Sequence, residues 1–203
     1  CPTRLCYLGT ALNSRGEGLA GSRSPLQIGA ELYGHSGVES ELEILVLMLE
    51  SLRRAGIEQI YLDLGHVGIF RGLTRQAGLD RRQEMALFDA LQRKAIPELQ
   101  ALVEGFDLPA RHGEMLVALA ELSGENALLH ARDRLSEAGG EVLQALADLD
   151  HLAGLLREHR PDVPIHYDLG ELRGYHYHTG IVFAAYVGGH GEAVANGGRY
   201  NNV

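Results

Sequence analysis

The sequence predicts an α+β fold, a largely antiparallel sheet with helices on it, and three observations predict it. Strand-like segments gather at the two ends of the chain and turn through Gly-rich connections, as hairpins do. Residues 67–160 between them read as helices almost throughout. Strands joined by hairpins rather than by crossover helices make antiparallel neighbours, which is the α+β arrangement. The 203 residues, 45% hydrophobic and 22% charged, are ample for a real core, so residues 1–203 are read as one core carrying a helical insertion at about 80–140.

The elements follow in chain order. Residues 4–12 are a short apolar run and read as a strand. Residues 13–24, with Gly16, Gly18 and Gly21 among serines and arginines, read as a flexible loop. Residues 25–34 form the second strand and close a long hairpin. There Leu26, Ile28, Ala30 and Leu32 alternate with Gln27, Gly29, Glu31 and Tyr33, so the apolar set is expected against the core. Ser36 with Glu39 three residues on has capping-box spacing, and Leu42, Leu45, Val46, Leu49 and Leu52 then recur at helical spacing up to a stop at Gly56. Residues 57–65 form a third strand with Ile60, Leu62 and Leu64 on one face.

Helices are expected over residues 81–94, 96–104, 112–122, 125–135 and 141–159. The last carries Leu143, Leu146, Leu149, Leu152 and Leu156 as its stripe, and Pro161 ends it. Such stripes pack a helical insertion on itself or offer a partner surface; periodicity alone does not choose. Residues 164–169 form a strand. Residues 181–187 form another that is apolar on both faces, hence central and covered by a helix. The Gly188-Gly189-His190-Gly191 turn sends residues 192–195 back antiparallel.

Charge and composition exclude several classes. Eighteen basic against 27 acidic residues give a net charge of −9, which argues against a general grip on nucleic-acid phosphates and leaves only a local basic patch open. No apolar run approaches the ~20 residues of a membrane helix. Cys1 and Cys6 are the only cysteines, too few for a disulfide framework or a four-cysteine zinc site, and fit a reducing cytoplasm. A first residue other than Met and an end just after a Gly/Asn-rich stretch predict an internal piece of a longer protein. The glycines spell neither a phosphate loop nor a dinucleotide fingerprint, and no nucleophile elbow occurs.

Two segments carry candidate chemistry. On the second strand Gln27 and Glu31 share a face with Gly29 between them. This is either a hollow flanked by an amide and a carboxylate, suited to a small cationic or zwitterionic ligand, or a solvated outer face. Residues 171–180 pack Arg173, Tyr175, His176, Tyr177 and His178 before the buried strand. Arg173 can fork onto a carboxylate or phosphate. His176 and His178 would share a strand face, but no third ligand accompanies them, so no metal and no other cofactor is expected.

These residues carry a resemblance. Arg4-Leu-Cys-Tyr-Leu-Gly9 followed by Gln27-Ile-Gly-Ala-Glu31-Leu-Tyr-Gly34 resembles motif 2 of histidyl-tRNA synthetase. Arg173-Gly174-x-x-Tyr177-x-Thr179-Gly180-x-Val182-Phe183 resembles its histidine-specific motif, and Gly197-Gly198-Arg199-Tyr200 the segment before motif 3. The resemblance implies a class II aminoacyl-tRNA synthetase-like core, an antiparallel sheet flanked by helices. It also implies a histidine-type pocket framed by Gln27, Glu31, Arg173, Tyr177 and His178, with Arg173 toward the ligand's carboxylate.

The sequence departs from the active synthetase where ATP is handled. The motif 2 arginine that holds the ATP α-phosphate falls on Asn13, and its glutamate on Arg15. An amide does not replace a fixed positive fork on developing phosphoryl charge. The loop that meets tRNA is Gly- and Ser-rich instead of basic, and His176 and His178 stand where the histidine motif has aspartate and tyrosine. A kept histidine site with a lost ATP clamp resembles the regulatory-subunit family of ATP phosphoribosyltransferase. That resemblance implies no catalysis by the chain itself, no catalytic residue, and a short-form catalytic subunit as partner. It further implies self-association, L-histidine as the ligand the pocket type takes, no tRNA, no membrane and a cytoplasmic place. A histidyl-tRNA synthetase core and a stand-alone synthetase-like amino-acid-binding protein are the alternatives.

Overall fold

The computed structural model describes residues 1–12 and 23–201. The loop read over residues 13–22, with Asn13 and Arg15, lies outside the described residues. Strands β1 (Thr3–Thr10) and β2 (Leu26–Tyr33) pair antiparallel as a two-stranded ribbon. Helix α1 (Glu39–Arg54) leads to β3 (Tyr61–His66) and α2 (Val67–Gln76). A helical stretch follows: α3 (Arg81–Gln92), α4 (Ile96–Gly105), α5 (Ala110–Ala118), the two-residue β4 (Ser123–Gly124), α6 (Ala127–Arg134) and α7 (Gly140–His159). Strands β5 (Ile165–Asp168), β6 (Ile181–Tyr186) and β7 (Ala195–Gly198) complete a five-stranded sheet of order β4-β5-β3-β6-β7.

The sheet is mixed: β3 runs parallel to β5, while its remaining ladders are antiparallel. The parallel pair arises because β3 reaches β5 through the whole helical stretch, a connection long enough for a crossover. Strand β6 is buried along nearly its whole length between β3 and β7, the central position its two-faced apolarity predicts. One face of the sheet, carrying Leu62, Leu64, Tyr167 and Phe183, shares a single core with Leu45 of α1, Phe70 of α2, Leu87 of α3 and Leu149 of α7. The helical stretch therefore packs on itself and on the sheet at once. Alternation turns Asp63, His166 and Tyr186 to the opposite face.

Several local expectations are corrected. The N-cap of α1 is Val38, with no side-chain cap; the capping box sits instead at α3, where Asp80 and Gln83 satisfy each other's backbone. Gly56 does end α1, at φ +87° with Ile57 N–H donating to the Leu52 carbonyl at 3.0 Å, a left-handed stop that glycine adopts without strain. Strand β3 begins at Tyr61 rather than residue 57, and β7 begins at Ala195 after a connection that was expected to be strand. On α7 the buried stripe runs Val142, Ala145, Leu146, Leu149, Leu152, Ala153 and Leu156, while Leu143 is exposed.

The largest correction concerns β2. Leu26 and Ile28 are each 73% exposed, because the ribbon stands apart from the five-stranded sheet and only its Leu32 end approaches α1. There Arg4, opposite Leu32, pairs with Glu43 of α1. Alternation in a strand predicts two faces; it does not say that either finds a neighbour.

Candidate ligand site

On β2 the side chains of Gln27, Glu31 and Tyr33 rise on one face, and the register sets Tyr7 of β1 directly opposite Gly29. The expected hollow at Gly29 is filled: the Tyr7 ring lies over it, where any side chain at residue 29 would collide with that ring. The Tyr7 hydroxyl then accepts from Gln27 Nε2 at 2.8 Å. Glycine here makes room for an aromatic neighbour across the ribbon.

Glu31 is met from the other sheet. After β7 the chain runs through Arg199 to Tyr200, whose phenol donates to Glu31 Oε2. The Tyr33 hydroxyl lies 3.1 Å from that of Tyr200, and the Tyr177 ring packs on Tyr200 with centroids 4.8 Å apart. Burial first, and then the Glu31 carboxylate, push the Tyr200 phenol well above its usual range, so it remains a donor. His178 stands edge-on to Tyr177 at 5.5 Å, and its Nδ1 lies 3.1 Å from the Arg173 carbonyl oxygen. A carboxylate ringed by phenols suits a compact cation with a flat face, such as an imidazolium.

Tyr200 is held in place by its neighbour. Arg199 forks onto Glu41 of α1, with Nη2 to Oε2 at 2.6 Å, and donates to the Gly37 carbonyl at 3.0 Å. The pair is nearly dry, with side chains 15% and 7% exposed, and Glu41 keeps the Arg199 guanidinium well above its already high range. The Arg199 carbonyl accepts from Thr179 N–H at 2.7 Å, tying this segment to the end of the histidine-bearing turn.

Of the five expected pocket residues, the structure brings together Glu31, Tyr177 and His178. Gln27 lies on the same β2 face but is engaged by Tyr7. Arg173 turns elsewhere: its guanidinium donates to the Tyr186 hydroxyl at 3.0 Å and lies 3.6 Å from Glu171, over the outer face of the five-stranded sheet. A cavity of about 10 Å³, room for one water, lies there between Asp63, Glu171, Arg173, Ala184 and Gly197. Burial pushes the Asp63 carboxyl up, opposed by the His166 ring, whose Nδ1 is 2.9 Å away.

His176 and His178 do not share a strand face, since residues 173–177 form turns. His176 packs instead on Phe88 and Tyr175. Among the described residues no group of three or more His, Cys, Asp or Glu is placed to hold a metal ion. Sequence reasoning missed Tyr7, Tyr33 and Tyr200 as site residues. Tyr33 was legible from its alternation with Glu31, and Tyr200 sat in a block already singled out.

Comparisons with known proteins bear on the family and the fold. The family model described as histidyl-tRNA synthetase matches residues 1–203. A curated relative from Thioalkalivibrio sulfidiphilus, an ATP phosphoribosyltransferase regulatory subunit, is 55% identical over 100% of this chain and 51% of its own length. The chain spans about half the length of the curated relatives it matches. A crystal structure from Bacillus halodurans C, titled an ATP phosphoribosyltransferase regulatory subunit/histidyl-tRNA synthetase, superposes with a TM-score of 0.84 at 25% identity, covering 97% of this chain and 51% of that one. An ATP phosphoribosyl transferase (HisG:HisZ) complex from Thermotoga maritima gives a TM-score of 0.77 at 19% identity over 99% of this chain and 69% of that one, a likeness of fold alone. Similar in fold to a synthetase-like regulatory subunit and matched along its whole length, the chain belongs to the histidyl-tRNA synthetase family.

Proposed function

We propose that this chain is the synthetase-like portion of a non-catalytic regulatory subunit of ATP phosphoribosyltransferase. It acts with a short-form catalytic subunit in the first step of L-histidine biosynthesis, the condensation of ATP with phosphoribosyl pyrophosphate. The observation that carries the reading is the 55% identity, over the whole chain, to a curated regulatory subunit. The sequence supports it independently, with Asn13 and Arg15 where the synthetase clamps ATP.

In this reading the Glu31 face is a histidine-type pocket that senses rather than activates its ligand. Glu31 faces the imidazole, Tyr177 and His178 wall it, and Gln27 and Arg173 swing toward the amino-acid end when it is filled. The subunit works in the cytoplasm, associates with itself and with the catalytic subunit, and leaves tRNA alone, in keeping with a net charge of −9. No described helix is long and apolar enough to cross a membrane.

The family's own description keeps an adenylating synthetase as the second reading. Histidine-driven ATP–pyrophosphate exchange by the full-length protein separates the two. We expect none, since losing one preorganised transition-state contact typically costs ~10²–10³ in rate. Exchange at a synthetase-like rate refutes the regulatory reading.

A further inference from the structure

One segment joins the helical layer to the outer sheet face. Residues 168–175 leave β5 and carry Arg173, and both ends of the segment are fastened to the same helix, α3. At the near end Lys94 Nζ lies 2.7 Å from each carboxylate oxygen of Asp168. At the far end the Tyr175 hydroxyl donates to Glu84 Oε1 at 2.6 Å, with the Phe88 ring 5.3 Å from that of Tyr175.

Lys94 is an unusual choice. It is the only lysine in the sequence and, among the described residues, the only non-glycine residue with positive φ, at +51°. It closes α3 in a Schellman arrangement, with Lys94 N–H to the Leu91 carbonyl at 3.0 Å and Ala95 N–H to the Ala90 carbonyl at 2.9 Å. That position favours glycine, because a side chain there carries a backbone cost that glycine avoids. The chain places instead a residue whose ammonium reaches Asp168, 74 positions later. Asp168 in turn holds the segment's first turn. Its carboxylate accepts from Gly170 N–H at 3.0 Å and its carbonyl from Glu171 N–H at 3.1 Å. Glu171 then accepts from Arg173 N–H at 2.7 Å. The contacts run unbroken from the end of α3 to the backbone of Arg173.

We propose that α3 sets the position of Arg173 through two clamps, Lys94–Asp168 and Glu84–Tyr175, and that Lys94 is a positioning residue for the guanidinium. A shift of the helical layer is then delivered to Arg173 at both ends of its segment. The assignment of Arg173 to a ligand's carboxylate rests on the pocket reading above; the clamps do not.

The test uses the full-length protein and the Nε–Hε NMR signal of Arg173, identified by its loss in Arg173→Lys. Lys94→Gly relieves the backbone and removes the clamp; it should displace or broaden the Arg173 signal without lowering the melting temperature. Lys94→Arg keeps a cation at residue 94 and should restore the parent signal. Tyr175→Phe should perturb the same signal from the other end. An Arg173 signal unmoved in both Lys94→Gly and Tyr175→Phe overturns the proposal, whatever happens to stability. Calorimetry with L-histidine on the parent and Lys94→Gly is the second arm, with affinity expected to fall about five- to tenfold. If the Arg173 signal moves and the parent binds no histidine, the positioning role stands and the pocket reading falls.

Discussion

Glu31 brings the negative charge of the proposed pocket, and the phenol of Tyr200 donates to it. A hydrogen bond to a charged group is worth about 1.5–3 kcal/mol, so Glu31→Ala should weaken L-histidine binding roughly ten- to hundredfold by calorimetry. Equal affinities would remove Glu31 from the site. A second residue makes a pH prediction. His66 ends β3 and caps α2, its Nδ1 accepting from Gly68 N–H at 3.0 Å, which requires the neutral ring. Burial, the largest effect, pushes its pKa down to about 4 from 6.5. The folded state therefore resists the proton. The stabilisation is complete above about pH 6.5 and is lost as pH falls toward 4, at up to about 1.4 kcal/mol per pH unit. His66→Asn keeps a cap and does not titrate. Its melting temperature should fall less than the parent's between pH 6.5 and 4, and parallel curves would contradict the assignment. That Glu31 and Tyr33 share a face was readable from alternation alone. Which groups sit opposite them was not, since Tyr7 arrives by register and Tyr200 from 169 residues away.

Among the elements, α1 and α7 show what a helical pattern does and does not tell. The leucines of α7 announce a helix, yet only the structure separates buried Leu149 from exposed Leu143. Leu149→Ala should cost about 2–5 kcal/mol of unfolding free energy, through lost burial and the cavity left behind. Leu143→Ala should stay within about 0.5 kcal/mol, as surface changes usually do. Similar losses in chemical denaturation would mean that the stripe is wrongly placed. The join between α1 and the post-β7 segment rests on Arg199 and Glu41, and breaking a buried pair leaves an uncompensated charge. Glu41→Ala should therefore cost about 3–5 kcal/mol, readable in the same experiment. A loss below about 1 kcal/mol would show that the pair is screened. Periodicity identified α1 and β6 because their apolar residues mirror their own geometry. It failed on the exposed face of β2, because a neighbour's absence leaves no mark on the strand that lacks it.

Across the whole molecule, a synthetase-like frame sets the proposed amino-acid pocket beside a helical layer, and Asn13 and Arg15 stand where the synthetase resemblance places the ATP clamp. The frame was legible because hairpins and a long helical stretch are written locally. The mixed sheet order was not, since β3 meets β5 only after the helices have folded between them. The acidic balance of 27 against 18 disfavours a general grip on tRNA phosphates, in keeping with the proposed protein partner. The central claim is that the protein works by joining a catalytic subunit. The direct measurement is the rate of phosphoribosyl transfer to ATP by the short-form catalytic subunit, with and without the full-length protein, and with L-histidine added to each. The account predicts activity that appears, and becomes histidine-sensitive, only when both subunits are present. A catalytic subunit equally active and equally inhibited by histidine on its own would contradict it.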